Sequence, residues 1–134
     1  MANVLYDPGR DAFLNGDIDY TNDTIRVYLI DNADYTFSAS HQFLSQVASV
    51  SRVAYAALAG KATSAGVADA NDTVLSSVTG DPCESLILCK WSGVENTSPL
   101  IGYIDTAAAG LPVIPNGGDI TITWDNGANR IFKL

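Results

Sequence analysis

The 134-residue chain has the length of a single domain that can bury a sizeable core without disulfides or metals. Fifteen acidic side chains against seven basic ones give a formal net charge of −8, which would repel a phosphate backbone, so we predict no direct nucleic-acid binding. No apolar run approaches the ~20 residues that cross a bilayer, and we therefore predict neither a membrane span nor a membrane partner.

The cysteines and the N-terminal residues bear on the compartment in which the chain folds. Cys83 and Cys89 lie in the stretch DPCESLILCKW. Within one strand their Cα atoms would be about 20 Å apart, whereas a disulfide needs less than about 7 Å, so we expect two free, buried thiols. The first residues, MANVLYDPGRDAFL, contain no secretory apolar region with a cleavage site. Both features predict folding in a reducing cytoplasm.

Residues 1–20 mix apolar and acidic side chains without the alternation of a strand. Asp7 before Pro8 is a typical start of a helix, and Gly16 would end that helix about two turns later. The pattern predicts an extended N-terminal arm with a short helix over 1–20, followed by a β domain over 21–134.

Seven strand-like runs follow, separated by Gly, Asn, Asp, Ser and Pro: 24–30, 51–61, 72–80, 84–91, 99–105, 119–124 and 129–134. This spacing is typical of a mainly β protein, an antiparallel β-sandwich or barrel of about seven strands. The run SLILC is apolar on both faces, which favours the middle of a sheet or a position under the helix. One further short helix is predicted after a cap at Ser38 or Ser40, with Phe43, Leu44 and Val47 on its buried face.

The stretch 116–132, NGGDITITWDNGANRIF, is the clearest hairpin signal. Ile120, Ile122 and Trp124 alternate with polar residues, which predicts one buried face. Asn126-Gly127 tolerates the positive φ of a tight hairpin turn, and Ile131-Phe132 would supply the return strand.

Residue types that carry chemistry are scarce. His41 is the only histidine; we expect it on the solvent side of the predicted helix and not as a general base. No Gly-x-Ser-x-Gly elbow and no phosphate-binding glycine motif occurs, so neither a serine hydrolase nor a nucleotide cofactor is supported. Paired carboxylates of a glycoside hydrolase are left open by the sequence. This scarcity of catalytic residues and motifs predicts a protein that is not an enzyme and has no small-molecule substrate.

Metal sites receive weak support. Cys83, Cys89 and His41 lack the paired spacing of a structural zinc site. The acidic stretch Asp17 to Asp23 suggests calcium, but it lacks the central Gly and distal Glu of an EF-hand, and a solvated acidic segment explains it as well. We predict no cofactor, and weak calcium binding at Asp17 to Asp23 stays open.

The chain contains five distinctive long segments: VLYDPGRDAFLNGDIDY, DTIRVYLID, YTFSASHQFLS, SPLIGYIDT and LPVIPNGGDITITWDNGANRIFKL. Together they resemble, nearly end to end, a family of small structural proteins of tailed bacteriophages. The resemblance implies a virion component made in the host bacterial cytoplasm, most plausibly a capsid decoration or cement protein on the capsid surface. Its implied partner is the major capsid protein, and self-association into a homo-oligomer is expected. A tail component or adhesin is the alternative.

Two segments are the predicted interface. The arm comes first, because its apolar side chains have no strand partners in the chain: Tyr6, Phe13, Leu14, Ile18 and Tyr20. The stiff loop comes second, because it would lose little entropy on docking: Leu111, Pro112, Val113, Ile114 and Pro115. If the arm is the interface, deletion of 1–20 leaves a cooperatively melting domain that no longer binds capsids. Packing of 1–20 on the protein's own sheet is the alternative.

Overall fold

A computed structural model describes residues 4–105, 111–124 and 131–134. The fold is mainly β, as predicted, with 36% of residues in strands against 14% in helical conformations. Every strand pair among these residues is antiparallel. Within the described ranges, no helix combines the length and the apolar character needed to span a bilayer.

The described residues contain ten strands and one α-helix. The helix α1 is Asp7–Leu14, and short 3₁₀ turns lie at Leu44–Gln46, Ser49–Ser51 and Glu95–Thr97. The strands are β1 Val4–Leu5, β2 Ile25–Ile30, β3 Arg52–Ala57, β4 Ala62–Ser64, β5 Val67–Asp69, β6 Thr73–Leu75, β7 Ser85–Lys90, β8 Leu100–Ile104, β9 Ile120–Ile122 and β10 Phe132–Lys133.

A five-stranded sheet in the order β1-β8-β7-β2-β3 is the centre of the molecule. The other strands form a three-stranded sheet, β10-β5-β4, and a two-stranded one, β6-β9. Strand β7 lies in the middle of the main sheet and is buried from Ser85 to Cys89. This position confirms the prediction for SLILC, since a strand covered on both faces needs apolar residues on both.

Each face of the main sheet is covered by a core of its own. Val27 and Leu88 contribute to one core, which the smaller sheets and α1 complete with residues such as Ile122 and Ala12. Tyr28 and Ile87 contribute to the other, which is covered by side chains from 35–47. The arrangement is sandwich-like, because successive side chains of each central strand enter opposite layers.

The predicted N-terminal helix is confirmed. Pro8 lies in the first turn of α1, and the helix ends at Leu14, with Asn15 as its C-cap and Gly16 following at φ +79°. Proline supplies a helical φ where no N–H is needed, and glycine adopts the left-handed conformation that terminates a helix.

The arm around this helix has partners within the chain, so the prediction that its apolar side chains lack them is wrong. β1 pairs with β8 at the edge of the main sheet, and the Tyr6 N–H donates to the Ile101 carbonyl at 3.0 Å. Tyr6 is fully buried, and Ile18 and Tyr20 are 5% and 6% exposed. A two-residue strand is too short to show alternation, which is why the sequence pattern concealed it.

The second predicted helix is absent from the described residues, and the prediction was wrong. Leu44–Gln46 is a 3₁₀ turn in which the Gln46 side chain accepts from the Phe43 N–H at 3.1 Å, and Ser49–Ser51 is another. Serine side chains at 38, 40, 45, 49 and 51 compete for backbone hydrogen bonds and disfavour a continuous helix. Leu44 and Val47 are nevertheless fully buried.

The C-terminal strands differ from the predicted hairpin in their pairing. Ile122 and Trp124 are buried and Thr121 is exposed, which confirms the predicted faces. However, β9 pairs with β6 and β10 pairs with β5, so the two strands belong to different sheets. The predicted turn at Asn126-Gly127 lies outside the described residues. Pairing with distant strands is favoured over the local hairpin, because each small sheet then covers the core on the main sheet.

Gly9 offers a test of the contact between α1 and β8. A Cβ at this position would overlap the Leu100 carbonyl oxygen and lie 3.3 Å from the Ile101 Cα, both backbone atoms. Gly9→Ala gains about 1 kcal/mol of helix propensity, but overpacking costs about 1 to 3 kcal/mol or more. We expect a lower free energy of unfolding in urea, by about 1 to 2 kcal/mol. Asp11→Ala, at an exposed position of α1, is the control and should stay within about 0.5 kcal/mol of the parent.

Candidate functional site

The predicted interface residues of the N-terminal segment mostly face inward. The Phe13 and Tyr20 rings both contact the Phe132 ring, with centroids 5.8 and 5.7 Å away. The Tyr20 hydroxyl also donates to the Asp69 carbonyl at 2.8 Å. Only Leu14, at 84% exposure, presents a large apolar side chain to solvent.

Part of the predicted loop interface also packs inward. Leu111 and Val113 are half-buried and pack against the same core as Ile18 and Tyr20, so the two predicted segments converge in the interior. Val113 also exchanges two backbone hydrogen bonds with Cys83, of 2.8 and 2.9 Å. Of the remaining loop residues, Pro112 and Ile114 are exposed and Pro115 is half-buried. Ile114 is the one large apolar side chain that this loop presents to solvent.

A different surface combines basic and aromatic side chains. It is a shallow depression of about 300 Å³ on the main sheet, beside the part of that face covered by 35–47. We call it the Arg26 depression. It is lined by Arg26, Tyr28, Ser49, Arg52, Tyr55, Trp91 and Glu95.

The register of the main sheet brings its central residues together. Arg26 of β2 stands opposite Ala57 of β3 and Cys89 of β7. Tyr55 and Trp91 each lie two residues along the chain from one of these partners, on the same face as Arg26. Diagonal neighbours of this kind are within reach of long and aromatic side chains. The Trp91 N–H donates to the Thr24 carbonyl at 2.8 Å, which extends the β2–β7 pairing to the tryptophan.

The Arg26 guanidinium is held between two aromatic rings. Its Cζ lies 4.4 Å from the Tyr55 ring centroid and 4.1 Å from that of Trp91. Its Nη1 also lies 3.4 Å from the Tyr28 hydroxyl. Burial raises the pKa of Tyr28, and the nearby Arg26 partly opposes that rise, so the phenol stays protonated and can accept from the guanidinium. The cation is thus fixed in orientation before any partner arrives.

A second arginine borders the depression. Arg52 Nη2 lies 2.8 Å from Glu95 Oε1, and this hydrogen bond lowers the pKa of the Glu95 carboxyl. Arg52 Nε is buried and has no hydrogen-bond partner among the described residues. Two of the chain's seven basic side chains therefore line a depression whose lining contains one acid.

Exposed apolar residues adjoin this depression along the chain. Val50 follows Ser49 and is 69% exposed, and Val94 precedes Glu95 and is 55% exposed. Tyr55 itself is 56% exposed. Tyr, Trp and Arg are the residue types enriched at the energetic centres of protein interfaces. The arrangement suits contact with another protein.

A second depression of about 310 Å³ lies near α1, but its cation already has partners within the chain. Lys90 Nζ donates to the Asp17 carbonyl at 2.6 Å and lies 3.2 Å from the Asp23 carboxylate. These bonds anchor the acidic stretch to β7. The Arg26 depression is therefore the better candidate for binding a partner, because its cation keeps free donors.

His41 has a structural role in the fold. Its Nδ1 lies 2.8 Å from the Tyr35 hydroxyl, which in turn lies 2.9 Å from the fully buried Tyr6 hydroxyl. His41 is half-buried, so the prediction of a solvated position on a helix is wrong. The chain of hydrogen bonds satisfies the buried Tyr6 phenol, as buried polar groups require.

Three carboxylates lie close together outside the stretch 17–23, which the sequence suggested as a calcium site. In the 17–23 segment, Asp19 accepts from Asn22 at 2.7 Å, so this carboxylate stabilises a local turn. Asp31, Asp34 and Asp81 instead bring one oxygen each within 4.8 Å of one another. Asp34 and Asp81 are exposed and Asp31 is buried, and we assign no function to the cluster.

Both cysteines are free and buried, as predicted. Burial raises the pKa of the Cys83 thiol to about 11 and that of the Cys89 thiol to about 12. Such thiols are protonated at neutral pH and make poor nucleophiles.

Sequence reasoning missed the Arg26 depression, although one signal for it was present. The alternation in TIRVYLI places Arg26 and Tyr28 on the same face of β2, which is unusual on a sheet that buries both faces. The aromatic partners come from other strands and are identified only through the register. In comparisons with known proteins, no family model matches the chain, and no curated protein matches it either.

Proposed function

We propose that the protein is a non-enzymatic structural component of a tailed-phage virion, a capsid decoration or cement protein that binds the major capsid protein. The resemblance of its long sequence segments to small phage structural proteins supports the virion role. The Arg26 depression is the observation that carries the binding role. It replaces the N-terminal arm as the proposed contact surface, because the arm's aromatic side chains are buried.

Rigidity supports this role. The depression is built on three paired strands, and stacking has already fixed its central arginine. Ordering side chains on association costs about 0.5 to 1.5 kcal/mol for each flexible one, so a preformed surface retains more of its interaction energy. A cement protein needs such a surface on every copy.

Purified virions provide the first test. We expect the protein to be present in amounts comparable to the major capsid protein on a stained gel of intact particles. A few copies per particle would favour the tail component or adhesin, and electron microscopy with a labelled copy would then locate it. Absence from purified particles would contradict any virion role.

A substitution tests the surface itself. Arg26→Met removes the cation while keeping much of the side-chain length, and we expect about 10- to 30-fold weaker recovery with capsids in co-sedimentation, as for the loss of an interface hot spot. Arg10→Met, at an exposed position of α1, is the matched control and should bind like the parent. Equal recovery of both variants would show that the capsid contact lies elsewhere.

A further inference from the structure

We propose that the Arg26 depression binds a carboxylate side chain flanked by apolar residues, presented by a partner protein. This inference rests on the proposed binding role and specifies the chemistry of the partner. It follows from which atoms of Arg26 are accessible, from what already occupies Arg52, and from the charge of the surroundings.

Two aromatic rings limit the approach to Arg26. The Tyr55 and Trp91 ring centroids lie 4.4 and 4.1 Å from its Cζ, so a ligand must meet the guanidinium beside these rings and through its N–H groups. A guanidinium has five donors, and one of them is directed at the Tyr28 hydroxyl. The other four have no acceptor among the described residues. In-plane pairs of donors match the two oxygens of a carboxylate, which they bind in a bidentate manner.

Arg52 shows the same preference within the chain. Glu95 places a carboxylate oxygen 2.8 Å from its Nη2, while the buried Arg52 Nε has no partner among the residues that the structure describes. The Glu95 side chain is 49% exposed, so a partner carboxylate can compete with it.

The surroundings decide what accompanies the carboxylate. The molecule carries a net charge of −8, so a highly acidic segment is repelled before it reaches the depression. Tyr55 lines the depression and is exposed, and the exposed Val50 and Val94 are next in the chain to its lining residues Ser49 and Glu95. A segment with a single acid between apolar residues fits both properties. It gains charge-assisted hydrogen bonds and apolar burial, and it carries little additional negative charge.

The test uses the full chain and two synthetic peptides, acetyl-Gly-Ser-Leu-Glu-Leu-Ser-Gly-amide and its Gln analogue. Binding is followed through the Trp91 indole N–H and the Arg26 side chain in NMR titrations. We expect saturable shifts with the Glu peptide and at least tenfold weaker binding of the Gln peptide. Arg26→Met should weaken binding of the Glu peptide at least tenfold. Arg26→Lys should weaken it about fivefold, since lysine keeps the charge but lacks the planar donor pair. Arg10→Met should have no effect.

Several outcomes would overturn the inference. Equal affinity for both peptides would show that the carboxylate is not recognised, and an unchanged affinity of folded Arg26→Met or Arg26→Lys would place the contact elsewhere. Concentration-dependent self-association that Arg26→Met abolishes, without peptide binding, would identify a second copy as the occupant. If the peptides fail while virions contain the protein in stoichiometric amounts, the proposed function stands and only the partner chemistry is wrong.

Discussion

Deletion of residues 1–20 is expected to abolish cooperative unfolding of the remaining chain. Four large side chains of this segment are at most 8% exposed: Leu5, Tyr6, Ile18 and Tyr20. Burial of each contributes about 1.5 to 3 kcal/mol, together about 6 to 12 kcal/mol. A typical domain is stable by only about 5 to 15 kcal/mol, so their loss is comparable to the whole free energy of folding.

The deletion removes more than apolar contacts. Without β1, strand β8 becomes an unprotected edge of the main sheet, and without Tyr6 the buried Tyr35 hydroxyl loses one hydrogen-bond partner. An exposed sheet edge also promotes aggregation. This expectation reverses the one drawn from the sequence, in which the segment was a detachable arm.

The measurement is a urea titration followed by near-ultraviolet circular dichroism. The truncated chain should show no sigmoidal transition, whereas the parent should. Leu14→Ser is the control, because Leu14 is 84% exposed, and its stability should change by no more than about 0.5 kcal/mol. A truncated chain with a cooperative transition of undiminished slope would mean that residues 1–20 are dispensable for folding.

The second large effect is loss of stability at alkaline pH. Burial raises the pKa of the Cys89 thiol from 9.0 to about 12, so this thiol stays protonated in the folded chain at pH values where it ionises in the unfolded chain. Its contribution to stability is complete below pH 9 and declines as the pH rises towards 12. Where the two states differ by one proton, the free energy of unfolding falls by about 1.4 kcal/mol per pH unit.

Other buried groups act in the same direction. Burial raises the pKa of the Cys83 thiol to about 11, and burial also raises the pKa of the Tyr6 and Tyr20 phenols. The unfolded thiols ionise from about pH 9 and the unfolded phenols from about pH 10, which steepens the decline above pH 10. We therefore expect the protein to unfold near pH 11 at room temperature.

Urea titrations between pH 8 and 11 measure this slope. Cys89→Ala should lower the free energy of unfolding at pH 8 by about 1 kcal/mol, because a buried sulfur is lost, yet flatten its decline between pH 9.5 and 11 by about 1.4 kcal/mol per pH unit. The pH slope of the free energy of unfolding reports the ionisation of Cys89, whereas the difference at pH 8 reports the lost packing of its sulfur. Parallel curves for the parent and Cys89→Ala would mean that the Cys89 thiol is accessible and titrates normally in the folded protein.

The sequence was most informative where neighbouring residues decide the structure. Period-two alternation located β2 and β9, because side chains on successive residues of a strand point to opposite faces, and short apolar runs between turn residues located β7 and β8. Pro8 and Gly16 located α1 for an equally local reason, since each fixes the backbone at its own position. β4 and β5 were missed, because the stretch 62–70, ATSAGVADA, is rich in Ala and Gly and contains few of the β-branched and aromatic residues that indicate a strand.

The errors share a different cause. In 38–47 the apolar spacing indicated a helix, but serine side chains and the burial of Leu44 and Val47 favour short turns. At the C-terminus the local hairpin signal gave the correct buried face of β9 and the wrong partner for β10. Strand pairing depends on which distant surface needs a cover, and a single segment carries little information about that.

Composition and periodicity alone determined that this is a mainly β chain with free, buried thiols and an N-terminal helix, because these properties depend on residue type and on near neighbours. Only the tertiary structure decided which apolar residues are available to a partner. The register of β2 with β3 and β7 brings Tyr55 and Trp91 onto Arg26. The pairing of β1 with β8 and the packing of Tyr20 on Phe132 remove Tyr6 and Tyr20 from the surface. Such juxtapositions join residues far apart in the chain, and their energies are realised only when the whole sheet has formed.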